Sequence, residues 1–456
     1  MDETARTLQQ LCRWAVATRL QDIPADVTAR TGMIAADTIA CALGASADTE
    51  LADWTRFPID PAHDGHCTAL GKPGTHPSPT AAAYNAIAAN WLQLDEGHHH
   101  SMCHAGIYCV PAGLAECEAR DYSLAVFVRA VALGYEMTCR LARATTFGAA
   151  PVHPHSLWST FGATATLGLL RGLDSAALSQ ALLHAATFTA PRPFAVVGDG
   201  GLAANLWVGA GIAQAFACTA WAQAGLRAPT HSLAHLGNML GAKTDPEVHT
   251  EKLGQDWAVR QNYFKDLACA GQSHAAMEAL LEARASLIRQ VMVVFDETVL
   301  IDAEVHDFAV TMAQHDIPSS LAARFSIPHL LSVGWLHGRS DAQALGAEFL
   351  EDPQVACLRK AVRLRPLRPA LAPPHHRAAR VTITLPGGQT AQHLCLAPLG
   401  SQARPFEAAD LQRKCLALAQ GRQTTLLGTL LDLPSHLDEM DAMRVRAMLR
   451  SSGPLN

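Results

Sequence analysis

The sequence lacks any run of about 18 apolar residues, so no segment is predicted to span a bilayer. It also lacks a CxxC pair, and its 12 cysteines are scattered along the chain. This spacing argues against a disulfide framework or a zinc ribbon and favours buried thiols in a reducing compartment. The first residues, MDETARTLQQLCRW, lack the basic and apolar regions of a secretory signal. We therefore expect a cytoplasmic protein without a membrane partner.

Charged and aromatic residues are scarce as well, at 17% and 6% of the chain. The formal net charge of -6 gives no attraction to nucleic acid, so no nucleic-acid partner is expected. The chain is instead rich in alanine and other small apolar residues, which let helix axes approach one another closely. Its 456 residues are long for one compact core and predict two domains.

The first half of the chain has the periodicity of helices. Near the start, four apolar residues have the spacing of one buried helical face: Leu8, Leu11, Cys12 and Ala15. Three longer stretches rich in alanine and leucine predict helices that pack on one another: 111–147, 160–190 and 202–225. In GLDSAALSQ, Gly172 is predicted to end one helix and Asp174 to cap the next.

The pattern changes after Lys265. The stretch RQVMVVFDETVL alternates Val291, Val293 and Phe295 and predicts a strand, and RVTITLPGGQTAQHLCL predicts a hairpin that turns at 386–388. The intervening RLRPLRPALAPPHHRAAR predicts an exposed loop, and the pattern is helical again from about residue 405. The predicted fold is mainly α, with a large all-α domain (1–264 and 404–456) and a smaller α+β insert (265–403).

Histidines cluster in the stretch QLDEGHHHSMCHAGIYCVPAGLA. It places an acidic pair ahead of four histidines: Asp95, Glu96, His98, His99, His100 and His104. The spacing of His100 and His104 suits two metal ligands on one helix. However, Ser-Met-Cys replaces the glutamate-containing centre of the HExxH motif, and the nearby glycines argue against a long helix. A metal site, a metal-free acid/base centre and a polar patch remain open on these residues alone.

Two further clusters contain groups that could take part in catalysis. In VHPHSLWSTFG, His153 and His155 precede a helix start, where an imidazole has a lowered pKa and can serve as a neutral base. The alternative is that His155 caps the helix and His153 lies in a loop. In NYFKDLACAGQSHAAMEAL, Lys265 and His274 lie at the predicted domain boundary, where clefts form. A lysine beside bulky apolar residues can instead only extend its charge to solvent.

Taken together and in this order, these stretches resemble the MmgE/PrpD family of 2-methylcitrate dehydratase, cis-aconitate decarboxylase and iminodisuccinate epimerase. The resemblance runs over nearly the whole chain and rests on QLDEGHHHSMCHAGIYCVPAGLAECEA, HPHSLWSTFGATATLGLLRGLD, FKDLACAGQSHAAMEA, ARFSIPHLLS and VTITLPGGQ. It implies a helical domain with an inserted lid, an active site between them, and a homodimer. It also implies a small di- or tricarboxylate substrate and chemistry that needs neither metal nor organic cofactor.

The resemblance also implies roles for single residues. His104 and His153 are the expected acid/base pair, Lys265 is expected to bind a substrate carboxylate, and Asp95 is expected to orient an imidazole. Four more positions are expected to contact the substrate: Gln93, His155, His274 and His329.

The chain departs from the family pattern at several of these positions. Gln93 stands in place of an acid, Gly97 in place of a threonine, and Ala105 in place of a proline. Ala204 stands where dehydratases and decarboxylases have a lysine, and Arg192 is a candidate replacement for that cation. Loss of a cation favours a reaction that develops less negative charge, such as epimerisation next to a carboxylate.

We therefore predict a cofactor-independent lyase of the 2-methylcitrate dehydratase type, which acts on a small polycarboxylate through histidine acid/base chemistry. One alternative is an epimerase or isomerase of a small dicarboxylate, and another is a binding member of the family without catalysis. A third is a metal-dependent hydrolase or lyase built on His98, His100, His104 and Asp95.

Overall fold

The computed structural model describes residues 2–54, 65–147, 152–338, 343–346 and 349–451. The α-helices of the first half are α1 (Glu3–Ala17), α2 (Ala25–Ala45), α3 (Thr49–Trp54), α4 (Ser78–Trp91), α5 (Ala105–Arg120), α6 (Leu124–Arg143), α7 (Pro154–Leu170), α8 (Ser175–Phe188), α9 (Ala195–Gly198), α10 (Ala203–Gln223) and α11 (Ser232–Met239). The later helices are α12 (His274–Gln290), α13 (Asp307–Val310), α14 (Ser320–Phe325), α15 (Ile327–His337), α16 (Pro353–Ala361), α17 (Ala408–Ala419), α18 (Thr424–Leu431) and α19 (Val445–Arg450).

Long helices pack on one another to form the body of the molecule. Helix α7 contacts α5, α6 and α10, and α2 contacts α4 and α17. Small residues make these contacts close: a Cβ on Gly211 of α10 would lie 2.0 Å from Ser159 Oγ of α7. Because α17 and α18 both pack on α2, the last part of the chain returns to the helical body.

The strands are short and lie mostly in the second half of the chain: β1 (Gly97–His98), β2 (Thr145–Thr146), β3 (Lys243–Thr244), β4 (Asn262–Tyr263), β5 (Leu300–Val305), β6 (Arg363–Pro366), β7 (Ala379–Thr384) and β8 (Thr390–Cys395). The last four form one sheet in the order β6-β5-β7-β8, in which β5 pairs parallel with β6 and antiparallel with β7. Helix α12 covers this sheet through contacts with β7 and β8. The short β1 pairs antiparallel with β4 and so joins Gly97 to Tyr263.

Local signals in the sequence were sufficient for most of these elements. The predicted hairpin is confirmed, since β7 and β8 pair from Ala379↔Cys395 to Thr384↔Thr390 and Gly388 has φ +83° in the turn. Gly172 ends α7 with φ +66°, and Asp174 caps α8 through the backbone N–H of Ala177. The mainly helical fold with a small sheet in the second half is confirmed, while the exact domain boundaries stay a prediction.

Two expectations about strands were wrong. Residues 291–295 alternate between half-buried and exposed, with Met292 98% exposed, but they form no strand because no described segment pairs with them. The first strand of the sheet begins later, at Leu300. Conversely, Arg363–Pro366 is strand β6 and not a loop, because β5 offers it a parallel edge. Among the described helices, none is long and apolar enough to cross a membrane.

Candidate active site

A cavity of about 620 Å³ lies where the helical body meets the sheet-containing part of the chain. Its walls come from the 93–104 loop, the end of α6, the start of α7, the 263–272 segment after β4, and the 376–377 loop before β7. The cavity therefore brings together segments that are far apart in the sequence, including the three clusters that the sequence pointed to.

An acid–imidazole pair lies at one side of this cavity, with the imidazole of His104 in the lining and the carboxylate of Asp95 behind it. His104 precedes α5, and its Nδ1 lies 2.6 Å from Oδ2 of Asp95, which is completely buried. The other oxygen of Asp95 lies 3.4 Å from Nζ of Lys265, which also donates to the carbonyl oxygen of Gln93 at 3.1 Å. Burial alone would raise the pKa of Asp95, but Lys265 and the His104 ring outweigh it and hold the pKa below its usual range. A carboxylate at this distance favours the tautomer of His104 that has its proton on Nδ1, in which Nε2 keeps a lone pair.

His155 lies against this pair and is held by a tyrosine. Its ring is 4.9 Å from that of His104, and its Nδ1 is 2.9 Å from the hydroxyl of Tyr108. Burial raises the pKa of Tyr108 and lowers that of His155, so this hydrogen bond joins a neutral hydroxyl to a neutral imidazole. Because Tyr108 lies one helical turn after His104 on α5, this contact couples the two imidazoles.

His153 is a neutral hydrogen-bond donor in this arrangement. It caps α7, where its Nδ1 accepts the backbone N–H of His155 at 3.3 Å, so the ring proton lies on Nε2. Burial lowers the pKa of His153 to about 3. Phe194 stacks on the ring at 5.2 Å, and Trp207 meets its edge at 5.5 Å. Packing thus fixes the orientation of a donor that stays uncharged near neutral pH.

The acidic neighbour of Asp95 has a supporting role. Glu96 is fully buried and accepts hydrogen bonds from Gly106 N, Tyr135 Oη and Asn262 Nδ2 at 2.8, 2.8 and 3.2 Å. Burial raises the pKa of Glu96 to about 7. These bonds tie the start of α5, and with it His104, to α6 and β4.

The C-terminal segment supports the same loop from behind. Lys414 of α17 lies 2.6 Å from Oδ1 of the buried Asp37 and donates to the carbonyl oxygen of Leu94 at 2.7 Å. The backbone just before Asp95 is therefore anchored by a residue more than 300 positions later in the chain.

The cavity wall is basic. Three charged side chains are among its described lining residues, Arg143, Lys265 and Arg377, and no aspartate or glutamate is among them. Neither arginine was found from the sequence, although both were visible there as cations near histidine-rich stretches. Arg192 does not replace the lost lysine, since its guanidinium is exposed and bonds the carbonyl oxygens of Ala190 and Pro191.

The four positions expected to contact substrate divide into two groups. Gln93 and His155 line the cavity. His274 instead lines an adjoining cavity of about 240 Å³, with its Nε2 3.2 Å from the carbonyl oxygen of Cys269. His329 lines neither cavity, and its Nδ1 lies 3.1 Å from a guanidinium nitrogen of Arg359. Ala204 is buried in the apolar core on α10 and also lies outside the cavity lining.

The donor atoms of Asp95, His104 and His155 lie within 4.8 Å of one another, which is close enough to ligate one metal ion. The ammonium of Lys265 already contacts the same carboxylate, so a divalent cation would lie beside a fixed positive charge. The geometry therefore favours a proton between Asp95 and His104. Of the other histidines in the metal hypothesis, His98 bonds Ser101 through Nδ1 and His100 is exposed.

Two tyrosines in the site were missed from the sequence. Tyr108 had a usable signal, since it comes four positions after His104, which is the spacing of one helical face. Tyr263 had none, because only the pairing of β1 with β4 brings it to Gly97 and the cavity.

Comparisons with known proteins agree with this architecture. Residues 9–245 match the MmgE/PrpD N-terminal domain, and residues 267–425 match the MmgE/PrpD C-terminal domain. Over 300 residues the chain is 25% identical to the cis-aconitate decarboxylase-like protein oryM of Aspergillus oryzae. The match covers 59% of this chain and 60% of that relative, so the chain spans about three fifths of the relative's length.

Proposed function

The chain belongs to the MmgE/PrpD family, and we propose that it is a lyase of the dehydratase type that acts on a small di- or tricarboxylate without a cofactor. One observation carries the proposal. The imidazole of His104 lies against the buried carboxylate of Asp95. It shares a cavity with the neutral donor His153, and three basic side chains line that cavity.

The proposed reaction begins with removal of a proton from the carbon next to a substrate carboxylate. Nε2 of His104 takes the proton, and the C–H electron pair moves into the carboxylate, which gains a second negative charge. Lys265 and the Nε2–H of His153 stabilise that charge because both are held in place before the reaction. Asp95 stabilises the imidazolium that forms on His104.

The second step of a dehydration returns the same proton. The electron pair forms the carbon–carbon double bond while the β-carbon–oxygen bond breaks, and the departing hydroxide takes the proton from the His104 imidazolium. The products are water and an unsaturated polycarboxylate, and His104 is again neutral. A single imidazole thus acts first as base and then as acid, and His153 stays neutral throughout.

Two alternatives use the same cavity. An epimerase would return the proton to the opposite face of the same carbon without loss of water, and a binding member of the family would hold the acid without exchange. Because one relative is named a cis-aconitate decarboxylase-like protein, loss of CO2 should be measured as well. The predicted homodimer belongs to the proposal as well and is tested by light scattering.

The test is incubation of the purified protein in D2O with citrate-, aconitate- and iminosuccinate-like acids, followed by NMR. We expect loss of water or uptake of deuterium at the carbon next to a carboxylate for at least one acid, with or without chelator. Deuterium uptake with inversion and no water loss would favour the epimerase. Neither turnover nor exchange with any acid would end the proposal, and activity that chelator abolishes would favour the metal-dependent alternative.

A further inference from the structure

Arg377 is a cation without an anionic partner among the described residues. It lies on the loop between β6 and β7, lines the cavity, and is half-buried. Among the described residues its side chain donates one hydrogen bond, from Nη2 to Sδ of Met102 at 3.8 Å, and it pairs with no described carboxylate. A thioether is a weak acceptor, so most of the five guanidinium N–H donors remain available to a ligand.

Met102 is itself held in an unusual conformation for this contact. Its φ is +55°, and its side chain is 53% exposed although apolar. The side chain thus extends from the helical body toward the 376–377 loop, where it meets Arg377. The contact places the guanidinium at the seam between the two parts of the chain.

Tyr263 lies near the same guanidinium and has a free hydroxyl. This hydroxyl forms no hydrogen bond with any described residue, and Tyr263 lines the cavity. His99 stacks on its ring at 4.2 Å. Tyr263, Lys265 and Arg377 all line the same cavity, and the two cations oppose the rise that burial causes in the pKa of the phenol.

The position of the Tyr263 phenol depends on Gly97 having no side chain. A Cβ at position 97 would lie 2.6 Å from both Cζ and the hydroxyl oxygen of Tyr263, which no side chain could tolerate without displacing the ring. The Tyr263 hydroxyl can therefore occupy its position only because residue 97 has no side chain. They put a hydroxyl donor where a residue at position 97 would otherwise project.

We propose that Arg377 and Tyr263 form a second carboxylate subsite, which selects a dicarboxylate over a monocarboxylate. The inference rests on the proposed function for its first carboxylate, which Lys265 binds. Arg377 offers two parallel N–H donors to one carboxylate, and Tyr263 adds an O–H donor. Because Lys265 is already paired with Asp95, Arg377 supplies the uncompensated charge that a second carboxylate needs.

The experiment measures binding of succinate and butyrate by isothermal titration calorimetry. These acids have the same number of carbons and differ by one carboxylate. We expect the wild-type chain to bind succinate at least about tenfold more tightly. Arg377→Met should weaken succinate binding by about tenfold to hundredfold and butyrate binding by less than about twofold. Tyr263→Phe should weaken succinate binding by about threefold to tenfold, since it removes one neutral donor.

Arg363→Met is the matched control, because it removes one exposed arginine from β6 that lies outside the cavity lining. It should leave both affinities unchanged. Arg377→Lys keeps the charge but loses the two parallel donors, and we expect it to bind succinate more weakly than wild type and more tightly than Arg377→Met. Melting temperatures close to that of wild type show that the variants are folded.

Three results would overturn the subsite: a wild-type chain without preference for succinate, Arg377→Met with equal loss for both acids, or Arg363→Met with the same loss as Arg377→Met. The outcome is independent of turnover. A chain that shows the expected affinities but neither water loss nor deuterium exchange with any acid keeps the subsite and loses the proposed reaction. A chain that exchanges deuterium but has no preference for succinate keeps the proposed reaction and loses the subsite.

Discussion

The two walls of the cavity differ in how their polar groups are satisfied. On the helical side, a network at and behind the cavity surface joins Asp95 to His104 by an ion-pair contact, His104 to His155 by ring packing, and His155 to Tyr108 by a hydrogen bond. On the opposite side, Arg377 bonds only a thioether among the described residues. A network that is complete before substrate arrives costs no reorganisation during reaction, whereas an unpaired cation gains its partner only on binding. The difference suggests that the helical wall performs the chemistry and the other wall selects the substrate.

The most damaging change should be Asp95→Asn on the helical wall. The amide cannot hold the His104 ring with its proton on Nδ1, and it no longer neutralises Lys265. We expect kcat to fall by about 10²–10⁴-fold in steady-state assays with whichever acid is turned over. Asp438→Asn, which changes an exposed aspartate, should have no effect. A kcat for Asp95→Asn within about threefold of wild type would contradict the orienting role.

The next largest effect should come from His153→Asn. Asparagine is also a good N-cap, so α7 should keep its start, but the donor is shortened and displaced. We expect kcat to fall by about 10²-fold. Because burial lowers the pKa of His153 to about 3, the ring is neutral above that pH and should not contribute an acid limb to the pH–rate profile. Profiles of wild type and variant should therefore have the same shape from pH 5 to 9, and a shifted limb would show that His153 titrates.

Gly97→Ala should lower the free energy of unfolding, because position 97 contacts the Tyr263 ring. The new methyl would overlap the Tyr263 phenol, which His99 holds by stacking, so the variant should lose about 1–3 kcal/mol of the free energy of unfolding. The same change in a Tyr263→Ala background should cost little, because the ring is gone. Gly428→Ala is the control, since no atom lies within 4 Å of its Cβ position. Urea denaturation of the four chains gives the coupling, and additive losses would contradict the contact.

The smallest effect should appear with Glu96→Gln and only as pH rises. Burial raises the pKa of Glu96 to about 7 from its ordinary value of 4.5, so the folded chain favours the protonated acid. That stabilisation is complete below about pH 4.5 and is lost as pH rises through 7. Glutamine stays neutral, so the free energy of unfolding of the variant should improve relative to wild type by about 1–2 kcal/mol between pH 5 and 8.

Urea denaturation at both pH values measures that change, with Glu247→Gln as an exposed control. A relative stability that does not depend on pH would show that Glu96 is ionised throughout this range.

The sequence predicted the parts of the fold that depend on local signals. Gly172 and Asp174 mark a helix end and a helix start because the left-handed backbone and the cap each depend on one residue. The alternation at 291–295 failed as a predictor because a strand also needs a partner, and pairing is not a local property. The same limit explains β6, which forms because β5 is beside it.

Some residues of the candidate site could likewise be named from the sequence, and others could not. His104, His153, Lys265 and Asp95 were named from a resemblance in motif order. The first three line one cavity, and Asp95 contacts His104 and Lys265 from behind it, while their catalytic roles stay a prediction. Arg377 and Tyr263 carried no motif, and their role depends on contacts between segments that only the fold brings together.

The most direct test that His104 is the base compares wild type with His104→Gln. It measures the rate of deuterium uptake next to a substrate carboxylate in D2O with chelator present. We expect uptake or water loss by the wild-type chain with a small polycarboxylate, and a rate at least about 10²-fold lower for the variant. Equal rates for the two chains would contradict the claim that His104, held by Asp95, is the base.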